Sequence, residues 1–515
     1  MRGVSINTVK DNGHAMRILV SVHNKEGIVD FLNRISFMNP EVFASDGTAK
    51  FLSSKGVKCS PVSDLTGSGT ILGGRVKTLH PAIYAGLLST RDEKSNRELQ
   101  QYGYGNFDMV ISNLYPFTET VGKGNLSDMV ENIDIGGVSL TRAAAKNWAF
   151  VTILTSPEDY VQVAAELESA GSVSLETRQR LALKAFAVTA SYDSLIYTSL
   201  YRELYKSPPE DLFLAYKGFT GLRYGENPGQ EGYMYRQPGK CGIPNAKQLH
   251  GKELSYNNIL DASAALEAVQ EFEDPTAVIV KHNTPCGVST SGSLKEAFTR
   301  AYDADSESAY GSIVAFNREV DAETAVELSG HFVEVVLAPS YSEQAIAILK
   351  KRKNLRVISA SLERDEGPRY RSIPGGMLVQ SRMDTAITKM EKAGEKDATE
   401  NQMRDMVFAW KVSAHCRSNA IVLAEDQTTV GIGAGQTSRV QSLRIAVDRA
   451  GNRVKGSVMA SDGFLPFSDS VKLAAESGIT AIIQPGGSIR DNEVIGESNK
   501  LSIPMYFTGK RVFLH

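Results

Sequence analysis

Cysteine is scarce: Cys59, Cys241, Cys286 and Cys416 are the only four in 515 residues, and no two form a C-x-x-C pair. That spacing argues against a disulfide framework and against a thiolate zinc site, and it points to a reducing compartment, the cytoplasm. An excess of one charge is also missing. With 56 Lys+Arg against 59 Asp+Glu the formal net charge is −3, so no global basic field draws nucleic acid and no acidic excess keeps the chain unfolded. Any anionic ligand must be held locally. No apolar run approaches the ~20 residues a spanning helix needs, and the segment from Met1 to Met16 has no apolar h-region, so neither a membrane nor secretion is expected. What is present is 42% hydrophobic and 22% charged residues, ordinary for a globular chain of roughly two to four domains, each able to bury a core.

The apolar pattern places strand and helix in alternation. Arg17 to Val22 reads as a buried strand, and helical spacing takes over from Lys25. Further apolar runs at Glu41 to Ala44, Met109 to Ser112 and Val151 to Leu154 each stand near a helix-like segment, the pattern of an open parallel α/β domain with ligands at the strand C-terminal ends. Leu175 to Tyr205 has helical spacing with no internal Gly or Pro and should close this domain, stopped by Ser207-Pro208-Pro209-Glu210, where a boundary is expected. From Leu212 to Tyr235 the composition turns to Gly- and Tyr-rich strand and turn. Alternation then resumes: helices at Ala262 to Phe272, Leu294 to Tyr302 and Met403 to Val412, and strands at Ala277 to Lys281, Ser312 to Phe316 and Ala420 to Ala424. Two helix-then-strand passages, one ending at Lys281-His282 and one led in by Arg417-Ser418-Asn419, hint at an internal duplication. Lys389 to Glu400 is charged around Gly394 and reads as a flexible surface linker.

Several strings carry chemistry. Gly73-Gly74-Arg75-Val76-Lys77-Thr78-Leu79-His80-Pro81 combines paired glycines with an Arg, a Lys and a hydroxyl, which suits a phosphate or a developing oxyanion; a solvated basic turn is the competing reading, and the Walker A pattern is absent. In Asp134 to Asn147, Gly136-Gly137 opens a helix with free N–H groups, and Lys146 follows two to three turns on, able to point back at a shared pocket unless it is a surface lysine on an Ala-rich helix. Asn113-Leu114-Tyr115-Pro116-Phe117 and Ser45-Asp46-Gly47-Thr48 each follow a strand, where α/β ligands bind. Val280-Lys281-His282-Asn283-Thr284-Pro285-Cys286-Gly287 sets a cation beside an imidazole suited to base work near neutrality. A zinc deaminase reading of that string fails, because x-Glu does not follow His282 and Cys286 has no partner at Ser289. Leu222 to Gln230 is a turn dense in Arg, Tyr, Asn and Gln, fit for a ribonucleotide. Gly431 to Arg439 is not a dinucleotide fingerprint, yet its glycines suit a close approach to a ligand, and Gln484 to Ser488 reads as a nest for an anion.

Taken in order, these strings, with Ser418-Asn419 and Asp462-Gly463-Phe464-Leu465-Pro466-Phe467, resemble the bifunctional purine-biosynthesis family that joins IMP cyclohydrolase to AICAR transformylase, over essentially the chain from Met16 to His515. The resemblance implies an α/β fold: an extension over 1–15, a methylglyoxal-synthase-like open parallel-sheet cyclohydrolase domain over 16–207, and a larger α/β transformylase region over 212–515 with duplicated cytidine-deaminase-like subdomains. It implies formyl transfer from N10-formyltetrahydrofolate, as co-substrate, to AICAR, and closure of the FAICAR formed to IMP, with no metal or redox cofactor. By the same resemblance His282 is the proton acceptor and Lys281 the neighbouring cation, while Lys77, Thr78, Tyr115 and Lys146 serve ring closure. Substrate-binding positions carried over are Asn24, Lys25, Ser45, Gly47, Thr48, Arg75, Asn113, Asp134 and Ile135 in the first domain. In the second they are Arg223, Tyr224, Gly311, Glu334, Asn419, Arg439, Phe464 and Arg511. The implied partners are small molecules (AICAR, FAICAR, IMP and folate) and a second copy of the chain, in a homodimer sharing the transformylase site.

The chain departs from the family at His23-Asn24-Lys25-Glu26-Gly27, where Ser-Asp-Lys-Thr-Gly is common, and at Asp46, a carboxylate where a small neutral residue would favour phosphate. Glu334 replaces an Asp found in some members, and keeps the carboxylate on a longer arm. The departures at His23, Asn24 and Asp46 leave open an alternative in which only the transformylase half turns over and the N-terminal domain is a ligand-sensing module.

Overall fold

The computed structural model describes residues 15–69, 71–72, 75–121, 125–237 and 239–515; Gly73, Gly74 and the extension through residue 14 lie outside them. Two compact units follow one another, the first ending at Ala215 and the second beginning at Tyr216. The chain leaves the first unit a few residues after the prolines because Asp211 N–H donates to Tyr197 Oη and the Phe213 ring meets Tyr197 edge-on, holding this segment on the long helix.

The first unit is built on a five-stranded parallel sheet with spatial order Ser60–Pro61, Glu41–Ala44, Arg17–Val22, Met109–Asn113, Thr152–Leu154. Ile18, Leu19 and Val20 are wholly buried, as apolar runs in a sheet covered on both faces should be. The strand order reverses between Arg17–Val22 and Met109–Asn113, and the carboxyl ends of those two strands form the crevice where open α/β sheets bind ligands. Leu175–Tyr205 is one 31-residue helix, capped by Ser174 Oγ accepting from Thr177 N–H and ended at Lys206 in the left-handed region, just ahead of the prolines.

The second unit has a hairpin, Lys217–Leu222 with Gly232–Arg236, and a twelve-stranded mixed sheet. From the middle outward, one half of that sheet runs Thr284–Thr290, Thr276–Lys281, Ser312–Phe316, Val333–Ala338, Arg356–Ser359, Lys247–His250. The other runs Thr428–Gly433, Ile421–Glu425, Val458–Ser461, Ala481–Gln484, Met505–Phe507, Glu391–Lys392. The halves repeat in detail. Helix Tyr256–Val269 carries Asp261 and helix Glu400–Ser413 carries Asp405, and each carboxylate accepts both backbone N–H groups of a two-residue turn: His282-Asn283 in one half, Asp426-Gln427 in the other. Each half also has a glycine pressed on the next helix. A Cβ on Gly287 would stand 1.9 Å from Ala301 O, and one on Gly431 2.1 Å from Ala446 O. The duplication is therefore real, but its register differs from the expected one: the counterpart of Lys281-His282 is Glu425-Asp426, after the strand, and not Arg417-Ser418-Asn419, which precedes it.

Two further expectations are corrected. Lys389 to Glu400 is not a free linker: Glu391–Lys392 pairs antiparallel with Tyr506 and Phe507 at the sheet edge, and Ala393 N–H donates to Met505 O at 2.9 Å. Its charges are those of an edge strand facing water. Gly431 and Gly433 lie within a strand and admit the helix Arg439–Ala450, whose carbonyls would be struck by any Cβ there, so the approaching backbone belongs to this chain and not to a ligand.

Behind the sheet Glu271 gathers partners from three segments. The His415 ring nitrogen Nε2 lies 3.2 Å from its carboxylate, Thr385 Oγ1 donates to it at 2.5 Å, and Arg364 stands at 3.3 Å. Burial works to raise this carboxyl, but the bond and charge of His415, then Thr385 and Arg364, outweigh it and hold it at about 2. A carboxylate held below its unfolded value contributes stability above that value and loses it as pH falls toward 2. We expect Glu271→Gln to lower unfolding free energy at pH 7 by about 3 kcal/mol, with the gap to wild type closing in urea titrations run below about pH 4. Gly431→Ala, by forcing apart strand and helix, should cost about 2 kcal/mol in the same titrations at pH 7.

Candidate functional site

At the switch point of the first unit, one amide ties two strand ends. Asn113 Oδ1 accepts from His23 N–H at 2.6 Å and Asn24 N–H at 2.9 Å, and Asn113 Nδ2 donates to Asn24 O. The His23-Asn24 departure thus works largely through backbone, and the His23 ring lies edge-on to Tyr115 at 5.2 Å. Asn24 Oδ1 accepts from Glu26 N–H, and Lys25 Nζ reaches His23 O and the Phe51 face. On the neighbouring strand end, buried Thr48 bonds Val22 N–H and O, and Ser45 Oγ donates to Thr48 Oγ1. Gly47 faces open space. Asp46 stands in the first turn of helix Asp46–Ser54, a position whose helix dipole favours a carboxylate.

The second wall comes from the helix Gly136–Lys146. Asp134 Oδ1 accepts from Gly137 N–H at 2.7 Å, and Asp134 N–H donates to Tyr192 Oη. Burial pushes the Asp134 carboxyl up, opposed by the N–H groups of Gly137 and Tyr115 and by the charges of Lys77 and His23. A carboxyl raised by burial beside a lysine is the kind of group that trades protons. Buried Thr78 belongs to the same corner, its Oγ1 so close to Gly136 that an added Cβ would lie 2.9 Å away. Asn24, Lys77, Thr78, Tyr115, Asn113 and Asp134 therefore converge. Ile135 is exposed beside them, and Arg75, exposed, pairs with Glu131. Lys146 occupies the last turn of the helix, ten residues and about 15 Å along the axis from Gly136. Tyr192, from the long helix, is the residue that sequence reading missed; only its i-spacing on a buried face was visible.

In the second unit the turn after Thr276–Lys281 presents His282 and Asn283 with φ of 54° and 59°, the left-handed pair of a two-residue hairpin turn. His282 is exposed at its tip. Lys281 Nζ donates to Tyr310 O at 2.9 Å, and Gly311, at φ 72°, donates its N–H to Phe332 O. A cleft of about 450 Å³ beside them is lined by Lys281, Asp305, Glu307, Ser308 and Arg449. Glu334 accepts from Asn258 Nδ2 at 3.1 Å and faces Arg356. Arg223 lies over the Tyr224 ring in the turn of the hairpin.

A second group forms around Asp462. Arg439 Nη1 donates to Asp462 Oδ1 at 2.8 Å and Arg439 Nε to Phe464 O, Ser418 Oγ donates to Asp462 Oδ2 at 2.6 Å, and Arg439 is buried. Asn419 is aligned by two bonds to Gln436 O, while the Phe513 ring sits under both Arg439 and Arg511. Phe464 stays exposed. Strand directions bring the two groups to one edge: His282 and Gly311 lie at the same end of the sheet as Asn419, Asp462 and Arg511. The strand of His282 and the one after Asn419 are three places apart, about 14 Å at ordinary strand spacing. The expected nest at Gln484 to Ser488 is filled by the chain itself, Gly487 N–H donating to Asp491 Oδ2. Cys286 donates to Ile279 O, and burial pushes its thiol up to about 12.

The family description "AICARFT/IMPCHase bienzyme" matches residues 144–449, and "MGS-like domain" matches residues 27–139. Among similar proteins, "Bifunctional purine biosynthesis protein PurH" of Halalkalibacterium halodurans is 48% identical, over 97% of this chain and 99% of its own. Those of Anoxybacillus flavithermus and Persephonella marina are 46% and 47% identical over the same shares. Likeness of that extent across both units favours two activities over an N-terminal sensing module. The chain belongs to the AICARFT/IMPCHase bienzyme family and is a purine-biosynthetic enzyme with both of its activities, formyl transfer to AICAR and closure of FAICAR to IMP.

Proposed function

We propose that formyl transfer is carried by 212–515 and ring closure by 16–207. In the first step the exocyclic amine of AICAR attacks the formyl carbon of N10-formyltetrahydrofolate, the co-substrate. His282 takes the proton leaving the amine, and Lys281 faces the negative charge that builds on the formyl oxygen. The carbon–N10 bond then breaks, N10 gains a proton, and FAICAR and tetrahydrofolate part. The observation that supports this is the turn itself, which holds an imidazole at the exposed tip of a hairpin directly after a lysine. Arg223, Tyr224, Gly311, Asn419, Phe464 and Arg511 are assigned to nucleotide and folate. Arg439 and Glu334, both already engaged by their own neighbours, are assigned to shaping the site.

In the second step the carboxamide nitrogen of FAICAR attacks its own formyl carbon, and water leaves after proton transfer. Asp134 and Lys77 are a carboxyl and an ammonium in electrostatic contact, suited to moving that proton and stabilising the oxyanion. Thr78 and Tyr115 orient the formyl group, and the strand-end amides of Asn24, Lys25, Ser45, Gly47 and Thr48, with Arg75, Asn113 and Ile135, hold the nucleotide. Lys146 is assigned to this reaction by resemblance, although it stands at the far end of its helix. The working form is a cytoplasmic homodimer acting on small molecules, with no nucleic-acid or membrane partner. No helix among the described residues is long and apolar enough to cross a membrane. Sharing of the transformylase site is supported by the separation of the His282 and Asn419 groups along one edge, by exposed Phe219 and Tyr235 on the hairpin of Lys217–Leu222 and Gly232–Arg236, and by exposed Leu378 and Val379 on a second hairpin, Arg369–Ile373 with Gly376–Gln380, surfaces that a twofold contact would cover.

With AICAR and N10-formyltetrahydrofolate supplied, His282→Ala should lose FAICAR formation by about 1000-fold while IMP still forms from added FAICAR; Lys77→Ala should do the reverse. Loss of both activities by either change in a folded protein would overturn the division. For the shared site, His282→Ala and Asn419→Ala protomers, each inactive alone, should after unfolding and refolding together regain about a quarter of wild-type transformylase activity; no recovery would mean that each chain holds a complete site.

A further inference from the structure

Resting on the assignment of His282 as proton acceptor, we propose that Asp261 is the positioning residue for formyl transfer, acting through the backbone of the turn that carries the imidazole. Asp261 Oδ2 accepts from His282 N–H at 3.1 Å and Asp261 Oδ1 from Asn283 N–H at 2.7 Å. Both turn residues lie in the left-handed region without being glycine, a conformation that a few per cent of non-glycine residues adopt, His and Asn more readily than most. The carboxylate fixes two successive N–H groups from the helix side and so sets the direction in which Cα–Cβ of His282 leaves the turn. The side chain itself has no hydrogen bond to Asp261 and needs none. A misplacement of about 1 Å at a reacting group can cost two orders of magnitude in rate.

The second half of the sheet holds the same device without the imidazole. Asp405 accepts from Asp426 N–H at 2.9 Å and Gln427 N–H at 2.8 Å, and Asp426 and Gln427 have φ of 50° and 49°. This turn lies at the opposite edge of the sheet, away from Lys281 and Asn419. The two carboxylates thus make the same pair of bonds, Asp405 from a buried position and Asp261 from a half-buried one, and only one of them holds a turn with a residue assigned to catalysis.

The pair makes the test. Asp261→Asn and Asp405→Asn each turn one acceptor into an amide donor facing an N–H group, so both should lower the melting temperature, the buried Asp405→Asn by at least as much. Asp261→Asn alone should lower transformylase kcat by about 100-fold, with KM for AICAR within about threefold and IMP formation from FAICAR unchanged. Adding Asn283→Gly, which makes the left-handed pair easy to adopt, should restore most of that kcat. Equal kcat for Asp261→Asn and Asp405→Asn, or no recovery with Asn283→Gly, would overturn the proposal. If Asp261→Asn does not fold, the Asp261→Asn/Asn283→Gly protein is compared with Asn283→Gly alone, and a kcat within twofold between them supports it while a persisting 100-fold gap sinks it. His282→Ala is run alongside: if it keeps wild-type kcat, the underlying assignment has failed and not merely the positioning role.

Discussion

The seam between strands Thr284–Thr290 and Thr428–Gly433 is the constraint on which the larger unit is built. The backbone ladder there is slight, with one paired register at Ser289 and Thr428, and side-chain hydroxyls complete it. Ser289 Oγ and Thr428 Oγ1 are 2.7 Å apart, Val288 N–H donates to Thr429 Oγ1 at 3.0 Å, and Thr429 Oγ1 in turn donates to Val288 O. All of these are buried, where an unmade hydrogen bond is costly. This antiparallel joint turns one half of the sheet over relative to the other. It is why His282 and Asn419, which occupy different places in their halves, arrive at the same edge, while the second clamped turn is carried to the opposite one.

In the smaller unit the corresponding constraint is a single amide. Asn113 closes the crevice between two strand ends by bonding backbone on the far side, so the identity of the residues at 23 and 24 matters less than their N–H groups. Around Asp134 burial pushes the carboxyl up, opposed by the backbone N–H groups of Gly137 and Tyr115 and by the charges of Lys77 and His23.

What could be read in the residue order was local. Apolar runs fed by helical spacing located the parallel strands, the long helix and the helix–strand alternation of the second unit, because period and turn chemistry act over a few residues. The glycines of Gly431 to Gly433 misled: a glycine signals close approach but not by what, and here the neighbour is a helix of the same chain. Lys389 to Glu400 misled for a related reason, since an edge strand with charges toward water has the composition of a linker. Resemblance carried the candidate residues, because their roles rest on contacts between distant segments that no local pattern shows.

The sequence by itself determined the two α/β units and the strings that mark the family. The tertiary structure alone decided the register of the duplication, the edge at which the two groups meet, and the roles of Asp261, Tyr192 and Asp462. Those three are ordinary residues in ordinary helices and loops. They act on backbone N–H groups and side chains 21, 58 and 44 positions away, and hydrogen bonds between segments so far apart leave no period or motif in the chain, only a geometry once the layers have packed.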